Sequence, residues 1–255
     1  MTMATTTTIS GIYFDDGGSG SQPIIFLHSL AGNTNQWSAQ LNHLRSTHRA
    51  IAIDLRGHGR SSSDEDFSIE SMAQDVLEVV NQLGIERFIL AGHSMGGSVA
   101  IAYAGAHPDR LAGLLLVDPS GDSTQMPVEE IQGYLGALES DAYVPMIEGY
   151  WQQILEGSTS ETQEIVMTDL RNTAKDTVVG VSKALFNYNP VPHLISYDGP
   201  KFSMITRFNQ TPVSLHNLVP DLPHQLLSGT SHWLQMDKPQ EFNELLDNWL
   251  ASLTT

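Results

Sequence analysis

The sequence predicts an α/β protein with a mostly parallel central sheet, helices on both faces and an inserted block of helices. Three observations carry that prediction. Short apolar runs alternate with stretches of helical period along most of the 255 residues. The runs are apolar on both faces, as strands covered from both sides must be. Residues 89–97 (ILAGHSMGG) read as an apolar strand, a Gly-x-Ser-x-Gly turn and the small-residue start of a helix.

The elements follow in order. Residues 9–14 are the first expected strand, and 15–21, rich in Gly, Ser and Asp, a turn. Residues 23–28 (PIIFLH) and 49–54 (RAIAID) read as buried strands with a helix over 35–44 between them. Residues 67–83 carry helical spacing through Ile69, Met72, Val76, Val79, Val80 and Leu83. A third buried strand over 87–91 leads into the Gly-x-Ser-x-Gly turn, and 111–117 (LAGLLLV) is the fourth of that kind. Two more strands are expected over 201–206 and 224–227, and an amphipathic helix over 241–253 closes the chain.

Residues 121–196 break the alternation, with helical patterns over 128–138, 143–155, 161–173 and 177–186 and no clear strand. An insertion at the carboxyl end of a central strand sits above the crevice where such sheets bind ligands. Residues 121–196 are therefore expected to form a cap subdomain over a core made of 1–120 and 197–255, shielding a pocket from water. Tyr134, Tyr143, Met146, Tyr150, Trp151 and Phe186 in the cap, and Trp233 beyond it, are candidates to line that pocket. Packing of cap against body is the other use for apolar side chains at this spacing.

Composition narrows the partners. The net charge is −17 and no run of Lys or Arg occurs, which argues against nucleic acid and anionic membrane surfaces. A neutral, apolar small molecule is the expected partner. With no cysteine, disulfides, thiol nucleophiles and thiolate metal sites are excluded together. No histidine spacing suggests a metal, and no Gly-x-Gly-x-x-Gly opens a helix, so no cofactor is expected. The opening MTMATTTTIS lacks a basic region followed by an apolar core, and no apolar run is long enough to span a membrane. A cytoplasmic protein is the expectation.

The turn at residues 92–96 carries the chemistry. A serine on a sharp strand-to-helix turn has its hydroxyl pushed into a pocket, with Gly92 and Gly96 where any Cβ would crowd the backbone. The helix that follows aims its first N–H groups toward developing negative charge. Ser94 is the candidate nucleophile. His232, in the loop Gly229-Thr230-Ser231-His232-Trp233 after the last expected strand, is the candidate base among ten histidines. Loops at the carboxyl ends of strands are where this architecture places its chemistry.

The chain resembles the α/β-hydrolase family over nearly its whole length. Residues 27–32 (LHSLAG) are similar to its H-G-x loop and 54–61 (DLRGHGRS) to its D-x-R-G-x-G-x-S loop. Residues 92–96 are its nucleophile elbow, and 229–233 followed by 237–242 resemble its G-x-x-H and P-x-x-F ending. The resemblance implies that Ser94 is the nucleophile, His232 the base, and the backbone N–H groups of Leu30 and Met95 the oxyanion hole. It makes His28 and His93 supporting residues. Ser29 stands where the family has glycine, as it does in enol-lactonases, which leans the substrate toward lactones. The family's usual acid position, a few residues after the strand over 201–206, holds no carboxylate here. Asp118, at the end of Leu111–Val117, is the best candidate to orient His232, as in some family members. Turn-capping with Pro119 is its alternative role. Asp122 is a weaker candidate, and Asn209 could orient the imidazole as an amide.

Three functions remain open at this point. One is hydrolysis of a small carboxylic ester or lactone. A second uses the same residues for carbon–carbon bond hydrolysis, cofactor-free perhydrolysis or a lyase reaction. A third is a small-molecule receptor or pseudoenzyme on the same fold.

Overall fold

The computed structural model describes residues 6–253 apart from Ile9, Ser21 and Asp64. The reading of residues 1–5 as lacking a sorting signal, and the start of the first expected strand, lie outside the described residues. The strands in chain order are β1 (Phe14–Gly17), β2 (Ile24–Leu27), β3 (Ala50–Ile53), β4 (Phe88–His93), β5 (Leu111–Val117), β6 (Lys201–Ile205) and β7 (His224–Leu226). They form one sheet in the order β1-β3-β2-β4-β5-β6-β7. Every pair is parallel except β1 with β3.

The helices are α1 (Ser38–Leu44), α2 (Ile69–Gln82), α3 (Met95–Ala106), α4 (Val128–Glu139), α5 (Tyr143–Ile154), α6 (Ser160–Asn172), α7 (Lys175–Asn187), α8 (Val191–Ser196), α9 (Leu215–Leu218), α10 (Leu234–Asp237) and α11 (Pro239–Ser252). The period-2 alternation of the strands feeds two cores. Ile25, Leu27, Ile51, Ile53, Leu90 and Leu114 pack against α2 and α3. Ile24, Phe26, Ala52, Ile89, Ala91 and Leu115 pack against α1 and α11. Burying each of the larger of these side chains stabilises the fold by about 1.5–3 kcal/mol. Helix α2 shows the local logic. Ser68 caps it by accepting the Ser71 N–H, Glu70 meets the positive end of the dipole, and Ile69, Met72, Val76, Val79 and Val80 form its buried stripe.

The first strand departs from expectation. It begins at Phe14 and runs through Asp15 and Asp16 into Gly17, where the composition reads as a turn. An antiparallel edge strand tolerates these carboxylates because Arg45 and Arg49 meet them at 2.9 and 2.7 Å. Helix α8 was not legible either. It is one and a half turns long, too short for a period to show, and its Leu194 joins the core beside α3. Gly105 makes that approach possible, since a Cβ there would lie 2.7 Å from the His193 ring.

Helices α4 to α7 have their own apolar cluster, with Leu138, Ile147, Trp151, Leu155, Val166, Leu170 and Val178. Ala31 and Trp233, from two loops at the carboxyl edge of the sheet, belong to the same cluster. The inserted helices are thus packed onto the loops that surround Ser94. Among the described residues, no helix is long and apolar enough to cross a membrane.

Candidate active site

Ser94 sits between β4 and α3 with φ 53° and ψ −115°. A non-glycine residue held there costs about 1–3 kcal/mol, so its surroundings must enforce it. The Ser94 N–H donates to Val117 O at 3.0 Å, and its carbonyl accepts from Ser120 N–H at 3.3 Å. Gly92 and Gly96 leave the space. A Cβ on Gly92 would lie 2.1 Å from Gly96 O, and one on Gly96 would lie 2.6 Å from His28 O. The turn is closed by backbone against backbone, and neither side can give.

Asp118 and His232 meet at a cavity that Ser94 also lines. His232 Nδ1 lies 2.5 Å from Asp118 Oδ2. Asp118 is fully buried and takes φ 39°, a left-handed conformation that Asp tolerates better than most residues. Its carboxylate also accepts the Thr206 backbone N–H at 2.7 Å and the Thr206 hydroxyl at 2.8 Å. Its own N–H donates to Met204 O at 2.7 Å. Because β5 pairs with β6, the end of one strand delivers the acid and the end of the next delivers its partner donor. With the carboxylate accepting at Nδ1, the His232 tautomer leaves Nε2 as the acceptor.

The backbone of His232 is held on both sides. Its carbonyl accepts from His93 Nε2 at 2.9 Å, and its N–H donates to Ile154 O at 3.0 Å. A carbonyl only accepts, so His93 carries its proton on Nε2, and Gln235 Nε2 donates to Nδ1 at 3.3 Å. Burial pushes the His93 imidazole well below its ordinary range and keeps it neutral. His28 is likewise neutral, pushed down to about 4 by burial. It donates from Nδ1 to Ser29 O at 2.7 Å and accepts the Leu55 N–H at Nε2 at 2.9 Å.

Leu30 lines the cavity beside Ser94, and Met95 opens α3 one residue beyond it. The loop between β2 and α1 turns through Ala31 with φ 57°. Ser29 lies on that loop and donates its hydroxyl to Gln36 Oε1 at 3.3 Å. Asn209 does not reach His232. Its side-chain N–H donates to Pro119 O at 2.7 Å and braces the turn after Asp118. Asp122 accepts from the Thr124 N–H, the Thr124 hydroxyl and the Gln125 amide, capping a short turn.

Ser94 and His232 border a cavity of about 420 Å³. Tyr134, Tyr150, Trp151, Phe186 and Trp233 line it, together with Met126, Ile154, Leu185, Glu130 and Ser182. Tyr143 and Met146 pack within the helical cluster instead. A second cavity of about 330 Å³ opens from the same serine and histidine toward Ser120, Ser123, Gln153, Asn209 and Ser214. Sequence reasoning missed Thr206 and Ile154. Thr206 carried a signal, as the residue ending the strand expected next to Leu111–Val117. Ile154 acts through its backbone and carried none.

The comparisons with known proteins agree with this fold. A family model described as the alpha/beta hydrolase fold matches residues 22–144. The dihydrolipoyllysine-residue acetyltransferase component of an acetoin cleaving system from Pseudomonas putida is 33% identical over 136 residues, which span 53% of this chain and 37% of that protein. The sn-1-specific diacylglycerol lipase ABHD11 of Mus musculus is 26% identical over 258 residues, covering 92% of this chain and 83% of that protein. The solved structure of Est816, described as an N-acyl homoserine lactone degrading enzyme, superposes with a TM-score of 0.80 at 28% identity, over 93% of this chain and 96% of that one. With sheet, family model and solved relatives agreeing, the chain has the α/β-hydrolase fold.

Proposed function

We propose that this protein hydrolyses a small, neutral carboxylic ester or lactone by acyl transfer through Ser94, His232 and Asp118. The observation that carries the proposal is the 2.5 Å contact between His232 Nδ1 and the buried Asp118, with Ser94 and His232 bordering one cavity. Ser94 Oγ attacks the carbonyl carbon and passes its proton to His232 Nε2. The oxyanion forms against the N–H groups of Leu30 and Met95. Each such donor is worth about 10²–10³ in rate. His232 then protonates the departing alcohol oxygen, the acyl–serine bond remains, and water repeats the sequence to release the acid.

The inserted residues 121–196 act in this reading as a cap over a core of 1–120 and 197–255. The two cavities suggest a substrate with an apolar part among Tyr134, Leu185 and Phe186 and a more polar part near Ser120, Ser123 and Gln153. Two relatives, one described as a diacylglycerol lipase and one as an N-acyl homoserine lactone degrading enzyme, support this reading. A fluorophosphonate probe tests the nucleophile. Stoichiometric labelling of Ser94, with turnover of a short p-nitrophenyl ester or an acyl lactone, is the expected result. Labelling without turnover of either would move the protein to another reaction on the same residues, and absence of labelling would end the acyl-transfer reading.

A further inference from the structure

Asp169, on α6 of the inserted helices, holds the loop that carries Leu30. Its Oδ1 accepts from Asn33 Nδ2 at 2.7 Å and its Oδ2 from Gln36 Nε2 at 3.0 Å. Gln36 is buried, and its Oε1 accepts the Ser29 hydroxyl at 3.3 Å. Leu30 lies between these fixed points. Gly32 leaves room for the Gln36 carboxamide. A Cβ on Gly32 would meet Gln36 Oε1 at 2.5 Å, so the loop is shaped around the amide. From the core side, Asp54 grips the same loop by accepting the Thr34 N–H at 2.6 Å. The loop also bends through Ala31 in the left-handed region, a conformation that relaxes unless its surroundings enforce it.

We infer that Gln36 and Asp169 are positioning residues for the acyl-transfer step, with α6 supplying the carboxylate that fixes Gln36, and Gln36 fixing Ser29 and the Leu30 amide beside it. This rests on the acyl-transfer reading above. Leu30 N–H must point to where the oxyanion forms, and a donor misplaced by a fraction of its hydrogen-bond length loses much of its effect. The inserted helices thus complete the oxyanion site as well as covering the pocket.

The test is a cycle of Gln36→Met, Asp169→Ala and the double variant. It uses full-length protein, an ester that the wild type turns over, and fluorophosphonate labelling of Ser94. Each single change lowers kcat and the labelling rate by about 10- to 100-fold, with KM moving less than about three-fold. Because the residues act in series, the double variant falls no more than about three-fold below the worse single one. Asp169→Asn, which keeps one acceptor and the shape, loses less and serves where Asp169→Ala fails to fold. A rise in KM with kcat and labelling unchanged would make Asp169 a tether of the helices only and overturn the inference. Multiplying effects in the double variant would also overturn it. A wild type that neither turns over esters nor labels removes the oxyanion site itself, and both proposals with it. Activity in the wild type with unaltered variants removes only this one.

Discussion

Asp118 Oδ2 lies 2.5 Å from His232 Nδ1 and 2.8 Å from the Thr206 hydroxyl, so one oxygen is shared between the imidazole and the neighbouring strand end. Replacing Asp118 by Asn puts an amide where the imidazole needs an acceptor and frees the ring to take the wrong tautomer. We expect kcat on an ester substrate to fall by about 10⁴, the size of the corresponding change in a serine protease triad. Asn209→Ala, which leaves that contact alone, is expected to keep activity within about ten-fold. Steady-state kinetics of the two variants decides it. Near-normal turnover by Asp118→Asn would remove Asp118 from the reaction.

The elbow makes a prediction about folding rather than rate. Gly92→Ala drives a methyl to within 2.1 Å of a carbonyl oxygen that belongs to the start of α3. Main chain on both sides leaves no rotamer to absorb it. A loss of about 3 kcal/mol or more is expected, read as a fall in soluble yield and melting temperature. A variant with wild-type melting would mean that the turn has more freedom than its contacts indicate.

Stability should fall on mild acidification. Burial pushes His28 down to about 4, and burial together with its neighbour His28 pushes His58 to about 3. An unfolded imidazole binds its proton near 6.5, so between that pH and the folded values the unfolded chain holds more protons. The contribution is complete above pH 6.5 and is lost as the pH drops through about 4. Each group is worth on the order of a few kcal/mol. Asp169, whose carboxyl burial raises, works the other way and offsets part of the loss. Melting temperature measured from pH 7.5 to 5 is the check. A flat profile would contradict these buried neutral histidines.

The pocket wall should set the length of the apolar part. Phe186 lies against Tyr134, with ring centroids 5.5 Å apart, and both line the cavity. Phe186→Ala opens space in this wall, and the opening changes the acyl preference only if the acyl part lies there. We expect kcat/KM for p-nitrophenyl esters to shift toward longer acyl chains by about ten-fold or more, the scale of a few methylenes in an apolar pocket. An unchanged preference would put the acyl part in the other cavity.

Much of this was legible in the chain. The apolar runs that became β2 to β5 are buried on both faces over nearly their whole length, so each had to be mostly apolar, and a run of that kind stands out in any sequence. Gly92 and Gly96 were legible for the same reason: only a missing side chain fits there. Besides α8, too short for a period to show, two things were hidden. The first strand was masked by Asp15 and Asp16, whose partners Arg45 and Arg49 lie some thirty residues further on. The second was every contact made by main chain, above all Ile154 O to His232 N–H, because a carbonyl leaves no mark on residue type. Asp118 lay between these cases. Its position at a strand end was readable, but its distance from a histidine 114 residues away was not.

That carbonyl has a consequence for how such proteins diversify. The loop bearing His232 is hydrogen-bonded to the last turn of α5, so the helical insert and the proton-carrying loop share a joint. Grafting the insert of a relative onto this sheet would bring in a new pocket wall and would also reset the seat of the imidazole. Chimeras that respect the geometry at position 154 should inherit a new substrate range with a working base, and those that shift it by a single residue should bind without turning over.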